Sequence, residues 1–467
     1  MDPGVGSLVP DPRFREEIDR AAALVREHPG RWRILYHYDG DGIASASALL
    51  RALARLGYPA QATAFFGVER ERMAELLRAT NGPVLIADTG SSWLDLYAGH
   101  RHPVVVLDHH RYPPPARPPP ETVALVNPLD WGVDGMDELC GATLSWLFTI
   151  ALDGRNWDNA PWGISGAIAD RQHMGGFRGL NARLMEEACR RSLLATGPGL
   201  AVRGSTLVEA LAEGIDPFVR GISGHPEAAR SLLSSLGLDP ARPPSSLAPE
   251  EAARLAAELG RRLQEAGVLP EYIGVLTQPR WTALSLGRDA EELSNLQNAC
   301  GRAGEPGVGV ALALGDAASL RRAESLERAW RRGILDGLLR LESGEVHSMP
   351  ALQWFESPEP TLAGTQAGLA MIYLLDPERP VVALSSRPGE PIKASGRGTS
   401  RLVARGLDLA AACRVAAAEV GGEGGGHRIA SGATVPADRR EAFLAALHRE
   451  IAGQLAAASG APGGARA

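Results

Sequence analysis

The feature that most constrains the fold is a set of short, continuously apolar segments that alternate with helical patterns in the first 190 residues. The segments are RWRILYHY, PVLIAD and HPVVVLD, each bounded by Gly, Pro or polar residues. One helical pattern, FREEIDRAAALVREH, precedes them, and another, IASASALLRALARL, follows the first segment. Short strands of this kind, alternating with helices, are typical of a parallel sheet covered on both faces. The sequence therefore predicts an α/β domain that binds its ligand at the carboxyl ends of the strands.

The composition limits the classes of protein that fit. The 467 residues predict two or three domains, and 45% hydrophobic with 22% charged residues is ordinary for a globular protein. The net charge of −7 excludes a protein that coats nucleic acid with a generally basic surface, so a polyanion must bind to a local basic patch. The four cysteines form no CxxC pair, which favours a reducing compartment over a disulfide framework or structural zinc. Without a signal pattern or an apolar run of roughly 18 residues, we expect a cytoplasmic protein with no membrane partner.

Acidic side chains stand where the apolar segments end. They are Asp39 and Asp41 after the first segment, Asp88 after the second, Asp108 with His109 and His110 after the third, and Asp170 at the end of GISGAIAD. For any one of them, a helix N-cap or an Asx turn is the ordinary role of an aspartate at a strand end. Acids at four equivalent topological positions, with histidines beside one of them, instead indicate a single converging site.

Converging carboxylates repel one another unless cations neutralise them. Four aspartates and one neutral histidine carry a formal charge that two divalent ions would cancel. Hard oxygen ligands with a minority of imidazole favour Mn²⁺ or Mg²⁺ over structural zinc. An EF-hand is excluded because its required glycine would be Ala44. The sequence therefore predicts a two-metal centre, whose usual chemistry is the hydrolysis of phosphoesters.

Four segments resemble the motifs of a known family, the DHH phosphoesterases. They are HYDGDGIASA, LIADTGSS, LDHHR and AIAD, in that order and at those spacings. Later segments resemble the archaeal RecJ-like, GINS-associated nucleases and the substrate-binding DHHA1 domain of the same family. They are SNLQNACGRAG with GVGVALALGD, then KASGRGTS with GGEGGGHRIASGATV. The resemblance covers nearly the whole chain, apart from about the first 30 residues and a Pro-rich stretch at 238–249.

The resemblance implies roles for the residues of the first motifs. The implied metal ligands, among which Asp88 and Asp170 would bridge, are Asp39, Asp41, Asp88, His109 and Asp170. His110 would face the scissile phosphate as an electrophile or proton donor, and Asp108 would orient the site. Some family members carry a metal-binding histidine at the position of Leu35. His37, on the same strand face as Asp39, either replaces that ligand or makes a hydrogen bond.

The resemblance also implies substrate contacts. They are Ser395, Arg397, Gly424, Gly425, Gly426, His427 and Arg302. Arg397 suits a bidentate phosphate contact, and the three glycines would let the backbone approach a phosphate, with His427 adding a hydrogen bond. The alternative for the glycines is a turn without a ligand. A Rossmann loop is excluded, because here a helix precedes the glycines and a strand follows them.

We therefore predict an α/β protein of three parts. These are a DHH catalytic domain with a parallel sheet and helices on both faces (1–195), a helical connecting segment (196–340) and a smaller α/β DHHA1 domain (341–467). The resemblance implies an exonuclease that uses two Mn²⁺ or Mg²⁺ ions on single-stranded nucleic acid, DNA favoured over RNA, in replication or repair. GINS or another replisome protein is an implied partner.

Two alternatives to the exonuclease remain. One is a phosphodiesterase of short oligonucleotides or cyclic dinucleotides, which would share both domains. The other, from a different class, is a non-catalytic replication scaffold like Cdc45, whose metal site is incomplete. The presence of all five expected ligands in this chain argues against the scaffold.

Overall fold

The apolar segments form the parallel sheet that their composition predicts. The computed structural model describes residues 5–66, 70–387 and 389–459. The strands are β1 (Trp32–His37), β2 (Ala60–Phe65), β3 (Val84–Ala87), β4 (Val104–Leu107) and β5 (Val123–Val126). They lie in the order β2-β1-β3-β4-β5, and every neighbouring pair is parallel. The chain order reverses between β1 and β3, which is the position where ligands of such sheets bind.

The two edge strands are missing from the sequence-based prediction. The sequence of β2, AQATAF, is rich in alanine, and most of its residues are only partly buried. The sequence of β5, VALV, is four residues long. Pairing with a neighbouring strand decides the conformation of such short or weakly apolar segments more than local composition does.

Helices cover both faces of this sheet, as predicted. They are α1 (Val5–Leu8), α2 (Pro12–Glu27), α3 (Gly40–Arg55), α4 (Arg70–Arg78), α5 (Leu94–Tyr97), α6 (Gly141–Leu152), α7 (Ala160–Ala169) and α8 (Gly179–Arg190). On one face Ile34 and Leu85 join a hydrophobic cluster with α2, α3, α6 and α7. On the other face Leu35 and Ile86 join a cluster with α4 and α5. Alternate residues of a strand thus enter opposite cores, which explains why the segments are apolar throughout.

The segment GISGAIAD is helical, so the expectation that Asp170 follows a strand is wrong. Its residues up to Ala169 belong to α7, and Asp170 is the C-cap of that helix. A helix that is buried on all sides is apolar throughout, and its sequence resembles that of a buried strand. Gly163 allows the close packing, because a Cβ there would lie 2.6 Å from the ring of Trp146.

The connecting segment is largely helical, as predicted. Its helices are α9 (Leu207–Ala212), α10 (Pro226–Ser235), α11 (Pro249–Glu265), α12 (Pro270–Ile273), α13 (Ala290–Arg302), α14 (Pro306–Ala313) and α15 (Ala317–Glu342). A short antiparallel sheet, which was not predicted, consists of β6 (Leu194–Gly197), β7 (Arg280–Ala283) and β8 (Arg288–Asp289).

Contacts within the chain define two compact units, residues 1–199 with 278–328 and residues 200–277 with 329–467. The segment 196–340 contributes to both units. The first unit therefore contains the parallel sheet together with α13 and α14. The boundaries at 195 and 340, which divide the chain by function, stay a prediction.

The second unit contains a six-stranded mixed sheet in the order β13-β14-β12-β11-β10-β9. Its strands are β9 (His347–Ser348), β10 (Gln353–Glu356), β11 (Val381–Ser385), β12 (Ile392–Arg397), β13 (Glu423–Gly426) and β14 (Ala430–Val435). The C-terminal helices are α16 (Pro360–Tyr373), α17 (Ser400–Ala404), α18 (Leu409–Glu419) and α19 (Arg440–Ser459). One face of the sheet packs against α16, where Val381 and Ala383 are buried. The other packs against α18 and α19, where Val382 and Leu384 are buried.

Single 3₁₀ turns occur between these elements, at Ser91–Trp93, Pro128–Trp131, Gly154–Asn159, Pro244–Ser246, Gly274–Thr277 and Ala437–Arg439. Within the described ranges, none of the helices combines the length and the apolar composition that crossing a bilayer requires.

Candidate metal centre

The loop between β1 and α3 places two aspartates at the carboxyl edge of the parallel sheet. Asp39 is the N-cap of α3, and its Oδ1 accepts the N–H of Gly42 at 3.2 Å. Position 42 requires glycine, because a Cβ there would lie 2.0 Å from the carbonyl oxygen of His37. Asp41 falls in the first turn of the helix. The ordinary N-cap role of Asp39 is therefore present, and the same turn directs Asp41 toward the other motifs.

Asp41 is fully buried, and the N-terminus of α6 surrounds its carboxylate. Its Oδ2 accepts the N–H of Gly141 at 2.7 Å, and its Oδ1 accepts the N–H of Ala142 at 2.8 Å and the thiol of Cys140 at 3.0 Å. Donors at a helix N-terminus favour an ionised carboxylate. Burial nevertheless raises the pKa of Asp41 well above its usual value, and the charges of neighbouring carboxylates add to the effect. A cation bound beside it would favour the ionised form.

Asp88 follows β3 and lies between two histidines. Its φ of 59° is in the left-handed region, which is uncommon for a residue other than glycine and is concentrated at functional sites. Its Oδ1 lies 3.1 Å from Nε2 of His109, and its Oδ2 lies 3.5 Å from Nδ1 of His37. Burial acts to raise the pKa of Asp88, but the hydrogen bonds and charges of the two histidines outweigh it and hold this pKa below its usual value.

His109 presents one ring nitrogen to the carboxylates. Its Nδ1 lies 2.6 Å from the carbonyl oxygen of Gly135, so Nδ1 must donate a proton there. In the neutral ring, Nε2 is then the nitrogen that carries the lone pair. Nε2 lies 3.1 Å from Asp88, 3.5 Å from Asp170 and 3.7 Å from Asp41. A backbone carbonyl that fixes the tautomer in this way is the usual support of a metal-binding histidine.

Three overlapping groups of side chains have ligand atoms within 4.8 Å of one another. The groups are Asp41 with His109 and Asp170, His37 with Asp39 and Asp88, and Asp88 with His109 and His110. The structure thus brings together all five implied ligands and adds His37 to them. Carboxylate oxygens with a minority of imidazole fit Mn²⁺ or Mg²⁺. Burial raises the pKa of Asp170 to about 6, which is the response of a carboxyl group that needs a nearby cation to ionise fully.

Asp108 orients the two histidines that follow it. Its Oδ1 accepts the N–H of His109 at 2.9 Å and a proton from Nδ1 of His110 at 2.8 Å, while its Oδ2 accepts the N–H of Ser91 at 2.9 Å. Its oxygens are therefore engaged by protein donors, and Asp108 belongs to none of the three ligand groups in the described part of the chain. The side chain of His110 is 41% exposed, whereas that of His109 is buried.

Helix α13 contributes two residues beside the same loop, and sequence reasoning missed one of them. Oδ1 of Asn298 accepts the N–H of Gly40 at 3.0 Å, which fixes the turn between the two aspartates. Its place within the segment SNLQNACGRAG, four residues before Arg302, was the signal that the sequence offered. Nη1 of Arg302 donates to the hydroxyl of Tyr38 at 2.9 Å. The predicted substrate contact Arg302 thus lies beside the metal-binding loop.

The predicted phosphate-binding residues of the second unit lie together on the mixed sheet. Ser395 and Arg397 occupy alternate positions of β12 and so share a face. Ser395 lies opposite Gly432 of β14, which in turn lies opposite Gly425 of β13. Gly364 of α16 makes room for them, because a Cβ there would lie 2.7 Å from Nη2 of Arg397 and 3.8 Å from Oγ of Ser395.

The glycine segment is a strand rather than the turn considered as an alternative, and its glycines differ in their surroundings. A Cβ at Gly424 would lie 2.4 Å from the carbonyl oxygen of Cys413, so that position serves helix packing. Gly426 has a φ of 134°, a backbone conformation that residues with a side chain rarely adopt. A Cβ at Gly425 would meet no described atom within 4 Å, so the strand has an open face at that half-buried position. His427 follows in the exposed turn between β13 and β14.

Two family models match these two sites. The model for the DHH family, N-terminal domain, matches residues 31–170, and this range includes all five implied metal ligands. The model for the DHHA1 domain matches residues 363–453 and contains Ser395, Arg397 and the glycine segment. The two domains, with the carboxylate and histidine groups described above, define a phosphoesterase.

Similar proteins share the architecture over nearly the whole chain. An uncharacterized protein of Methanocaldococcus jannaschii is 27% identical over 453 residues, which are 94% of this chain and 98% of that protein. RecJ of Thermus thermophilus, solved with Mn²⁺, has a TM-score of 0.59 at 21% identity over 97% of this chain, which spans 56% of that protein's length. Cdc45 of Entamoeba histolytica has a TM-score of 0.66 at 11% identity over 94% of this chain and 98% of that one. The chain therefore contains a DHH domain and a DHHA1 domain, and it shares its overall fold with RecJ and Cdc45.

Proposed function

We propose that the protein is a Mn²⁺- or Mg²⁺-dependent exonuclease of single-stranded nucleic acid, with DNA favoured over RNA. The observation that carries the proposal is that the three ligand groups overlap at Asp88 and His109, two buried residues whose Oδ1 and Nε2 atoms lie 3.1 Å apart. One ion would be held by Asp41, His109 and Asp170, and a second by His37, Asp39 and Asp88. RecJ of Thermus thermophilus has been solved with Mn²⁺ and with Mg²⁺, which supports this choice of ions.

The protein groups around the ions have separate tasks in this proposal. When bound, divalent ions would supply Lewis-acid stabilisation of the phosphoryl oxygens and an activated water. The carbonyl of Gly135 fixes the ring of His109 by accepting a hydrogen bond from its Nδ1, and the carboxylate of Asp108 fixes the ring of His110 in the same way. His110, which is partly exposed, would donate from Nε2 to an oxygen of the scissile phosphate. Arg302 would contact the substrate beside the loop that carries Asp39.

The second unit would bind a phosphate of the same strand. The open position at Gly425 lies across Gly432 of β14 from Ser395, and Ser395 is two residues before Arg397. Backbone N–H groups, a hydroxyl and a guanidinium are the donors that a phosphate oxygen accepts from. His427, in the neighbouring exposed turn, would add a further hydrogen bond.

A role in replication or repair, with GINS or another replisome protein as partner, is part of the proposal and is supported by the fold shared with Cdc45. That same likeness is the observation that favours a non-catalytic scaffold. The presence of every implied ligand, in overlapping groups whose ligand atoms lie within 4.8 Å of one another, supports catalysis instead. A scaffold has no need to keep ionisable side chains in such an unfavourable arrangement.

The test is a cleavage assay with oligonucleotides labelled at either end. Single-stranded DNA, single-stranded RNA, duplex DNA, dinucleotides and cyclic dinucleotides are incubated with Mn²⁺, Mg²⁺ or EDTA. We expect metal-dependent, stepwise shortening of single strands, and we expect Asp170→Ala to abolish it. Asp137→Ala is the matched control, because that acid is exposed and pairs with Arg178 outside the ligand groups.

The outcomes separate the three functions. Cleavage restricted to dinucleotides or cyclic dinucleotides would assign the short-substrate phosphodiesterase. If the protein is folded and binds Mn²⁺ but cleaves none of the substrates, it would be assigned as a scaffold. The label position that releases mononucleotides first gives the polarity.

A further inference from the structure

Two aromatic side chains, Tyr38 and Phe66, form an exposed patch at the carboxyl edge of the parallel sheet. His37 of β1 pairs in register with Phe65 of β2, so the next residue of each strand lies beside the other. The rings of Tyr38 and Phe66 stack with centroids 5.1 Å apart and an interplanar angle of 20°. The residue Phe66 is 50% exposed, whereas Phe65 is buried. We call this pair the aromatic patch.

Packing of the core does not account for Phe66. Among the residues that the structure describes, Phe66 is a member of none of the hydrophobic clusters. One face of its ring is covered by Tyr38, and half of the residue remains accessible to water. An exposed aromatic ring is unfavourable in water, which makes it a candidate for a binding surface.

A positive charge adjoins the patch. The guanidinium of Arg302 lies 5.5 Å from the centroid of the Tyr38 ring and donates to its hydroxyl at 2.9 Å. The contact holds Tyr38 against Phe66 from one side and places a cation next to the two rings. Aromatic rings beside an arginine are the combination with which proteins bind unpaired nucleotides.

The aromatic patch is also continuous with the candidate metal centre. Tyr38 lies between His37 and Asp39 in the chain, and the rings of His37 and Tyr38 are 4.8 Å apart. Nδ1 of His37 is 3.0 Å from Oδ2 of Asp39. A ligand that stacks on Phe66 therefore lies within a few side chains of the carboxylates.

We infer that the aromatic patch is a nucleobase-stacking site, in which the base of a nucleotide near the scissile phosphate lies on the exposed face of Phe66. This inference rests on the proposed single-stranded substrate. Stacking accepts any base, because every base has a π face, but the base must be unpaired to reach the ring. The patch would therefore select single strands over duplexes without reading sequence, and Arg302 would balance the charge of the attached phosphate.

The test compares ring chemistry at position 66 with base chemistry in the substrate. Phe66→Ala, Phe66→Leu and Phe66→Tyr are assayed in Mn²⁺ on a single-stranded oligonucleotide and on copies that carry one abasic residue at each position near the cleaved end. We expect Phe66→Ala and Phe66→Leu to raise KM by about tenfold with little change in kcat. Phe66→Tyr, which keeps an aromatic ring, should have a KM close to that of the wild type. Leu284→Ala is the matched control, since Leu284 is an apolar residue with 48% exposure that directly follows β7 and takes no part in the Tyr38–Phe66 stacking.

The abasic substrates decide between stacking and a general structural effect. An abasic residue at the position whose base stacks on Phe66 should raise the KM of the wild-type protein about as much as Phe66→Ala does. The same abasic residue should cause no further rise in the KM of Phe66→Ala. Multiplicative effects at every position, or a wild-type KM for Phe66→Leu, would overturn the inference. An unchanged KM in Phe66→Ala would also overturn it and would leave the patch to a protein partner.

Failure of the proposed nuclease function is distinguishable from failure of this inference. If the wild-type protein cuts no strand, the same variants and abasic oligonucleotides are compared by fluorescence anisotropy in the same Mn²⁺ buffer, where the strands stay intact. Weaker binding by Phe66→Ala, cancelled by an abasic residue, would support the stacking site without the nuclease. Equal binding by the wild type and Phe66→Ala would reject it.

Discussion

At the scale of single residues, two buried aspartates show that neighbouring donors and charges decide whether burial succeeds in raising the pKa of a carboxyl group. Asp41 and Asp108 each accept several protein hydrogen bonds. Burial raises the pKa of Asp41, and the adjacent carboxylates add to the rise, whereas at Asp108 the hydrogen bond and charge of His110, with the charge of His109 and the N–H of Ser91, outweigh burial and lower the pKa. The protein itself therefore stabilises the ionised form of Asp108, whereas Asp41 needs a bound cation to ionise.

The same reasoning predicts that the metal-free protein is destabilised by its own ligands. Because the pKa of Asp170 is raised to about 6, its ionisation costs free energy in the folded state once the pH exceeds the ordinary value of 3.8. Asp170→Asn should therefore raise the free energy of unfolding in EDTA at pH 7 by about 1 to 3 kcal/mol. The gain should shrink as the pH falls below 6 and disappear at about pH 3, where the carboxyl group is protonated in both states. Denaturant unfolding at both pH values measures it.

Mn²⁺ supplies the control for this prediction. Mn²⁺ should stabilise the wild type and should stabilise Asp170→Asn less, since the amide is a poorer ligand. A variant that is less stable than the wild type in EDTA at pH 7 would contradict the electrostatic explanation.

The adjacent histidines should separate metal binding from chemistry. His109→Ala should weaken Mn²⁺ binding at least tenfold, because the ring nitrogen that faces three carboxylates is lost. His110→Ala should leave Mn²⁺ affinity nearly unchanged and slow cleavage by about a hundredfold or more, as expected for loss of a group that assists proton transfer. Calorimetric Mn²⁺ titration and kcat measure the two effects. His100→Ala, a histidine outside the ligand groups, is the control, and equal Mn²⁺ affinities for all three variants would refute the assignment.

At the scale of secondary-structure elements, the N-terminus of α6 is as important to the site as any ligand. Its first N–H groups and the thiol of Cys140 hold Asp41, and its first residue, Gly141, lies against two carboxylates. A Cβ at Gly141 would lie 2.7 Å from Cβ of Asp88 and 2.8 Å from Oδ2 of Asp41. The helix therefore approaches as closely as it does only because that position has no side chain.

This contact predicts the effect of adding one methyl group. Gly141→Ala should displace the carboxylates of Asp41 and Asp88, weaken Mn²⁺ binding at least tenfold and leave the circular dichroism spectrum of the folded protein intact. Gly453→Ala in α19 is the matched control, because a Cβ there meets no described atom within 4 Å. That control should keep Mn²⁺ affinity and raise stability by about 1 kcal/mol through helix propensity. Wild-type Mn²⁺ affinity in Gly141→Ala would show that the helix is not a rigid wall of the site.

At the scale of the whole molecule, the two units differ in what they need from solution. The first unit holds buried carboxyl groups, Asp41 and Asp170, whose ionised forms a cation would favour, whereas in the proposal the second unit would offer backbone and guanidinium donors to an anion. Metal binding therefore couples to the stability of the folded chain, because anything that binds only the folded state stabilises it.

This coupling should depend on pH in a defined direction. Saturating Mn²⁺ should raise the thermal midpoint at pH 7, and EDTA should reverse the change. Because Asp170 has a pKa of about 6 without metal, Mn²⁺ must displace its proton at lower pH, and the stabilisation should shrink as the pH falls from 7 to 5. Thermal unfolding with Mn²⁺ or EDTA across this range measures it, with Asp170→Ala as control. A Mn²⁺ effect that grows toward pH 5 would contradict the assignment of Asp170.

Much of the fold and of the candidate site could be predicted from the sequence. The apolar runs identify β1, β3 and β4, because both faces of those strands are buried, and the acids after them identify the edge where ligands bind. The edge strand β2 and the helix α7 could not be identified in this way. Strand β2 is defined by its pairing with β1, and α7 is buried on every side, so neither shows the periodicity of its own structure.

The sequence by itself determined which residues to expect at the candidate metal centre: Asp39, Asp41, Asp88, His109 and Asp170 could be named in advance because residue type and motif order are properties of the chain. Only the tertiary structure decided how they are held. The donors from α6 to Asp41, the carbonyl of Gly135 behind His109 and the pairing of Tyr38 with Phe66 join residues far apart in sequence. Such contacts depend on which elements pack together, and no local pattern encodes a distance between them.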